Sequence, residues 1–277
     1  MQPVAATLIV NVYERTYRAA LTPGTFDAIV ADNRVQIEDR WVLINNVDDS
    51  THARRMAQAL MESGEISGFA LVEHEIDRAL KVTGLTRRAL RRRPYFLNYG
   101  LVMSITGSEP YVLGWDAETR LTSPADWLTP GIELLESDAN IFSVCPRWPA
   151  TRDTLDQETV GRQGPWALNY GFTDQVFLVR RREIASPIYR ALAPASMVRS
   201  ANHPFSFEAR LESHQRARGL FRATHTQVSF VANDLPPVIE RQLGGYTWRE
   251  RLQRRLLALV GAGLARLGSS DPRLRLP

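Results

Sequence analysis

Tyr111–Leu121 reads YVLGWDAETRL. Tyr111, Val112 and Leu113 form an apolar run of strand character that goes straight into Asp116 and Glu118, two carboxylates separated by one residue. Successive side chains of a strand point to opposite faces, so residues two apart share a face. Extended geometry carried through to Glu118 would turn both acids the same way. There they repel unless a proton or a hard cation with oxygen ligands lies between them. A solvated acidic turn at the end of a strand is the plainer alternative, and the flanking sequence has to decide.

Working outward, similar apolar runs recur. ATLIVNVY (Ala6–Tyr13), RWVLINNV (Arg40–Val47) and GFALVEH (Gly68–His74) read as three earlier strands. Helical patterns stand between them. Thr25–Ala31 suits a short helix, and THARRMAQALMESG carries Ala53, Met56, Ala57 and Leu60 at helical spacing and stops at Gly64. Ile76–Arg92 is mostly helical with a break at Gly84, and Asn98–Thr106 is a further helix leading into the quoted strand. Strands alternating with helices imply an α/β fold, a mostly parallel, Rossmann-like sheet flanked by helices. Beyond Leu121, Pro124–Ser137 suggests a helix and Asn140–Trp148 a strand. Pro149–Pro165 reads as a long polar connection of lid or binding-loop type. Gly171–Arg181 and Arg222–Asp234 read as strands, with a helix over Phe207–Arg218 stopped by Gly219.

In a sheet of this kind ligands bind beyond the carboxyl ends of the strands. Tyr13, Glu14 and Arg15 follow the first strand, Asp48, Asp49 and Ser50 the second, and Asp116 and Glu118 the fourth. The paired acids thus belong to a shared rim, which favours a site over a simple turn.

Composition bounds the rest. A chain of 277 residues, 44% hydrophobic, can bury a large core. The expected division is one domain over 1–238 and a C-terminal basic amphipathic helix and tail over 239–277. One cysteine, Cys145, excludes an intrachain disulfide and reads as a buried strand residue. The N-terminus lacks a basic region followed by a long apolar run, and no stretch reaches about 18 apolar residues, so a cytoplasmic address is expected. Net charge is +4, yet Lys81 is the only lysine, and the arginine bias comes without any zinc-ligand, helix-turn-helix or aromatic nucleic-acid motif. Nucleic acid is not an expected partner.

The order and context of these pieces resemble the family 2 glycosyltransferases, which have the GT-A fold, from the first strand to about Asp234. VDDS (Val47–Ser50) is similar to the family's acidic turn after the second strand, NYG (Asn98–Gly100) to its Asn-x-Gly helix, and WDAE to its paired-acid metal motif. FTDQVFLVRRREI resembles the acceptor-side segment. FSFEARLESHQRARG resembles the acidic motif at a helix start, with Glu208 at the position of the base. Two departures stand out: the second acid is Glu118 rather than aspartate, and Ala232 and Asn233 stand near where relatives carry a metal-binding histidine. His225, earlier on that strand, reads as structural.

The resemblance implies transfer of a sugar from a nucleotide-diphosphate donor to a hydroxyl acceptor, a glycan or lipid-linked glycan, as in polysaccharide or glycolipid synthesis. Mn²⁺ or Mg²⁺ on Asp116 and Glu118 would stabilise charge on the leaving diphosphate. Glu208 would take the acceptor's proton, with inversion at the anomeric carbon, while a carboxylate placed at a helix start because the dipole favours it is an equal alternative role. Tyr13, Glu14, Arg15, Asp48, Asp49, Asn98 and Asp116 would hold the donor, while capping of the next helix is an alternative role for Asp49. Arg216 and Arg218 could assist the diphosphate, but a solvated face is the expected setting for them, as for the run of arginines Arg87, Arg88 and Arg91–Arg93. The basic amphipathic tail reads equally as a contact with the inner face of a membrane or as packing on protein, and oligomeric state is not readable. Rival functions are a non-catalytic nucleotide-sugar-binding protein that kept the fold, and a nucleotidyltransferase; the latter lacks the expected glycine-rich phosphate loop after the first strand.

Overall fold

The computed structural model describes residues 2–90, 94–148, 155–156, 158–199, 205–232 and five positions of a C-terminal helix: 252, 255, 256, 259 and 260. The strands are β1 (Gln2–Pro3), β2 (Ala6–Val12), β3 (Val35–Gln36), β4 (Arg40–Ile44), β5 (Gly68–Leu71), β6 (Tyr111–Asp116), β7 (Thr119–Leu121), β8 (Ile141–Arg147), β9 (Gly161–Gln163), β10 (Trp166–Asn169), β11 (Val176–Arg180) and β12 (Phe221–Ala232). The helices are α1 (Tyr17–Ala20), α2 (Thr25–Asn33), α3 (Ser50–Glu62), α4 (Val72–Thr83), α5 (Arg87–Leu90), α6 (Asn98–Met103), α7 (Leu128–Ser137), α8 (Arg181–Ile184), α9 (Pro194–Arg199) and α10 (Phe207–Arg218).

The central sheet runs β5-β4-β2-β6-β11-β8-β12-β10-β9, with β7 pairing on β12. β5, β4, β2 and β6 are all parallel, in the Rossmann-like half that the alternation of strands and helices predicts. From β11 onward the sheet is mixed. β11 lies antiparallel between β6 and β8, and β12 is parallel to β8 but antiparallel to β10. The result is a mixed parallel and antiparallel sheet flanked by helices, with the parallel strands confined largely to one half.

Both sheet faces are apolar, which is why these strands read as continuous runs. Leu8, Val10, Leu113, Trp115 and Leu178 pack on one side with Phe26 and Ile29 of α2, Ala53 and Ala57 of α3, and Leu128 and Leu135 of α7. Ile9, Val112, Phe177 and Val179 pack on the other with Ile76 and Ala79 of α4, Leu101 and Met103 of α6, and Phe207 and Leu211 of α10.

Several expectations are corrected. The third strand ends at Leu71, and Val72, Glu73 and His74 already belong to α4, with Glu73 and Glu75 in its first turn where the helix dipole favours them. Of the stretch from Pro149 to Pro165, residues 149–154 and 157 lie outside the described residues. Its end is a hairpin, β9 against β10, turning at Gly164 with φ of +55°. Arg216 is not solvated. It is buried on α10, with Nε donating to Glu212 at 2.8 Å and its guanidinium over the Tyr170 ring at 5.5 Å. An i,i+4 acid and an aromatic face neutralise a cation that the sequence suggests would seek water. The expected run of arginines Arg91–Arg93, and Asn233 on the last strand, lie outside the described residues, as does most of the amphipathic tail. Leu252, Leu256, Leu259 and Val260 are described as helical and exposed.

Candidate functional site

The rim at the carboxyl ends of β2, β4 and β6 gathers most of the residues singled out from the sequence. Tyr13 follows β2, and its hydroxyl donates to Glu118 Oε2 at 2.9 Å. Burial, and then the neighbouring Glu118 carboxylate, push the Tyr13 phenol above its ordinary value, so it remains a donor at neutral pH. Glu14 is engaged twice, accepting the Asp48 backbone N–H at 2.8 Å and pairing with Arg18 at 3.1 Å. The first of these bonds ties the loop after β2 to the loop after β4. Asp48 and Asp49 are both exposed. Asp49 accepts the His52 N–H at 2.9 Å and caps α3, the alternative role that its position suggested. Arg15 stands near enough to Tyr13 to oppose its shift. Asn98 opens α6 and donates to Asn45 Oδ1 at 3.3 Å, so it is bound to the end of β4.

Asp116 and Glu118 do come together, but not as strand residues on one face. β6 ends at Asp116, and Ala117 and Glu118 form a two-residue turn into β7. The Glu118 N–H donates to Asp116 Oδ1 at 3.0 Å, and Trp115 Nε1 donates to the Thr119 carbonyl at 3.1 Å, stapling the turn. The turn carries no glycine or proline to announce it. An aspartate that closes the turn with its own carboxylate does that work instead.

Asp174 joins the pair. It precedes β11, whose antiparallel pairing with β6 sets the Gln175 carbonyl on the Asp116 N–H at 2.6 Å. Its Oδ2 accepts the Tyr99 hydroxyl at 2.6 Å. Asp116, half-buried at the end of β6, is raised from an ordinary 3.8 to about 7. Desolvation is the leading cause, and the Asp174 and Glu118 carboxylates add to it. Burial likewise raises Asp174. Asp116 thus sits at the edge of ionisation near neutral pH, among like charges.

Whether these residues suit a divalent cation is tested by their unsatisfied atoms. Glu118 Oε1 is buried without a hydrogen-bond partner among the described residues, and so are Asn11 Oδ1 on β2, opposite Asp116, and Gln175 Oε1 just before β11. All three are acceptors; buried acceptors without donors suit a hard cation, and the Glu118 carboxylate could alternatively take a proton. Among the described residues no three His, Cys, Asp or Glu side chains form a cluster able to hold a metal ion. A magnesium-type ion commonly takes only one or two carboxylates and completes its shell with substrate phosphates and water. The donor set suits an ion that brings further ligands of its own, not one caged by protein alone.

A cavity of about 260 Å³ adjoins this rim, with Asp174, Gln175, Glu208, Arg147, Trp148 and Phe230 among its lining residues. Glu208 stands in the first turn of α10, whose start is capped by Ser206 accepting the Ala209 N–H at 3.2 Å. Electrostatically Tyr99 feels both Glu208 and Asp116, placing it between the cavity and the rim. His225 is structural, as expected. Its ring packs on Trp166 at 4.8 Å, and its Nδ1 accepts N–H groups from Gln227 at 3.2 Å and Val228 at 3.0 Å at a bulge in β12. Sequence reading missed Asp174, Tyr99 and Arg147 as individual site residues. The one available signal for Asp174 was a polar Thr-Asp-Gln directly before an apolar strand.

No family model and no curated protein matches the sequence. Solved structures do. Glucosyl-3-phosphoglycerate synthase from Mycobacterium tuberculosis, in complex with Mn²⁺ and UDP-glucose, is 13% identical over 96% of this chain and 80% of its own, with a TM-score of 0.41. Mouse xyloside xylosyltransferase 1 is 12% identical over 77% of this chain and 81% of its own, with a TM-score of 0.40. A galactosyltransferase in complex with donor and acceptor sugar analogues is 15% identical over 64% of this chain and 58% of its own, with a TM-score of 0.37.

Proposed function

We propose that the chain is a glycosyltransferase that moves a sugar from a nucleotide-diphosphate donor to a hydroxyl acceptor. The observation that supports this most is the junction of two unlike sites. A rim of carboxylates with unsatisfied acceptor oxygens meets a cavity holding a separate carboxylate, Glu208, on a rigid helix.

On this reading, Tyr13, Glu14, Arg15, Asp48, Asp49 and Asn98 surround the nucleoside part of the donor at the ends of β2 and β4, and Asp116 and Glu118 face its diphosphate. Asp116 and Glu118 would hold Mn²⁺ or Mg²⁺, which would supply charge neutralisation to the leaving diphosphate. Tyr13 keeps Glu118 in orientation through its hydrogen bond, while Tyr99 does the same for Asp174. In the transfer, the acceptor oxygen bonds to the anomeric carbon as the bond from that carbon to the diphosphate oxygen breaks. The electron pair leaves with the nucleoside diphosphate, and the acceptor's proton passes to Glu208 as general base, with inversion. The nucleoside lies at the ends of parallel strands, the usual place for a ligand of such a sheet.

The test is a panel of nucleotide sugars, each assayed for Mn²⁺-dependent thermal stabilisation and for release of nucleoside diphosphate, since a ligand that binds the folded state alone raises its stability. One donor that stabilises and turns over supports transfer. Stabilisation without turnover on any hydroxyl acceptor identifies instead a binding protein that kept the fold.

A further inference from the structure

The cavity beside Glu208 holds five charged side chains, and four of them are engaged. Glu158 and Arg222 face each other at 3.8 Å, and Arg222 also donates to Asn169 Oδ1 at 2.8 Å. Asp174 accepts from Tyr99, and Glu208 has an interaction of its own. Arg147 is the exception: among the described residues its side chain is half-buried, its Nε is buried without a hydrogen-bond partner, and it makes no ion pair. A buried guanidinium N–H without an acceptor is rare, and its planar fork is suited to carboxylate or phosphate oxygens.

The local fold is built around this residue. In β12 the register against β8 slips between His225, opposite Pro146, and Ser229, opposite Arg147, so the extra residues bulge out next to the arginine. His225 holds that bulge through its two backbone hydrogen bonds. Beyond the bulge, Phe230 packs on Trp148 with ring centroids 5.7 Å apart, giving the cavity an aromatic wall next to the unpaired cation. Bulges commonly re-aim side chains beside functional sites. The cavity, about 260 Å³, falls below the roughly 300–1,000 Å³ of pockets for drug-sized ligands.

We propose that this cavity takes a single small acceptor unit bearing an anionic group, a carboxylate or a phosphate, which Arg147 binds while Trp148 and Phe230 cover its apolar face. The identification of the occupant as the acceptor rests on the glycosyl-transfer reading; the anion site itself does not.

The experiment is isothermal titration of inorganic phosphate, glucuronate and glucose into the full chain and into Arg147→Gln and Arg147→Lys, with nucleoside diphosphate plus Mn²⁺ titrated in parallel. Phosphate or glucuronate is expected to bind more tightly than glucose. Arg147→Gln should weaken that binding by about tenfold or more, the scale of one charge-assisted hydrogen bond, and Arg147→Lys should recover part of it. Nucleoside diphosphate binding should remain within about twofold, because no second charge is altered. Glucuronate binding without phosphate binding names the carboxylate as the group; the reverse names the phosphate. Equal anion affinity in the parent and in a folded Arg147→Gln overturns the proposal, and so does failure of the parent to bind either anion. Parallel loss of nucleoside diphosphate would move Arg147 to the donor and overturn it too. A parent that binds the anions but no nucleoside diphosphate contradicts the transferase reading and leaves the anion site standing.

Discussion

Asp116 carries the sharpest consequence at the scale of single residues. Its raised pKa means that the folded state holds a proton that the unfolded chain releases near pH 4. Stability linked to this group is therefore present below the ordinary carboxylate value and lost as pH rises towards about 7. Asp116→Asn removes the titration. Thermal melts of the metal-free variant across this range should show a flatter pH dependence and, near neutrality, a higher melting temperature than the parent; an unchanged slope would contradict the assignment. Tyr13→Phe tests the neighbour. Loss of the hydroxyl that orients Glu118 should cost about tenfold in Mn²⁺ affinity measured in the presence of nucleoside diphosphate, the usual scale for a ligand's hydrogen-bonding partner. Sequence alone pairs Asp116 with Glu118 through strand periodicity. The pairing survives, but the cause is a turn closed by Asp116 itself, and no residue type in Ala117-Glu118 announces that turn.

Among the elements, α6 and α10 decide where Glu208 stands. Gly100 sits in the middle of α6 directly against the Phe207 ring, and an added Cβ would overlap that ring. Alanine normally improves a helix over glycine by about 1 kcal/mol. Here overpacking should reverse the sign, with Gly100→Ala costing about 1–3 kcal/mol in denaturant unfolding. Because Phe207 precedes Glu208, the same substitution should lower turnover of any donor more than donor binding. A stabilised Gly100→Ala would show that α10 is free to shift. The Asn-x-Gly pattern was legible as a motif, but its steric reason is not, because Phe207 is over 100 positions away in sequence. Similarly, β2, β4, β5 and β6 were legible as continuous apolar runs, since helices cover both of their faces. The antiparallel insertion of β11 between β6 and β8 was not, because strand direction leaves no mark on the apolar pattern. Asp174 went unrecognised for that reason: only the insertion brings it to Asp116.

At the scale of the whole molecule, the parallel half supplies a rim of acceptor oxygens and the mixed half supplies a cavity, and Asp174 with Tyr99 stands where the two meet. Function on this account requires both halves, with metal and nucleotide on one and the hydroxyl acceptor on the other. Metal binding should be coupled to pH, because a cation competes with the proton on Asp116; Mn²⁺ stabilisation should grow as pH rises through about 7. Glu208→Gln separates the halves, and should preserve Mn²⁺-dependent donor binding while lowering transfer by about a hundredfold or more, the range of a general base. The most direct measurement is titration of a stabilising nucleotide sugar with Mn²⁺ into the parent and into Asp116→Asn near pH 8. The expected result is tight, metal-dependent binding in the parent and its loss in the variant. Equal metal-dependent binding by a folded Asp116→Asn would contradict the central claim that Asp116 and Glu118 hold a cation against the donor's diphosphate.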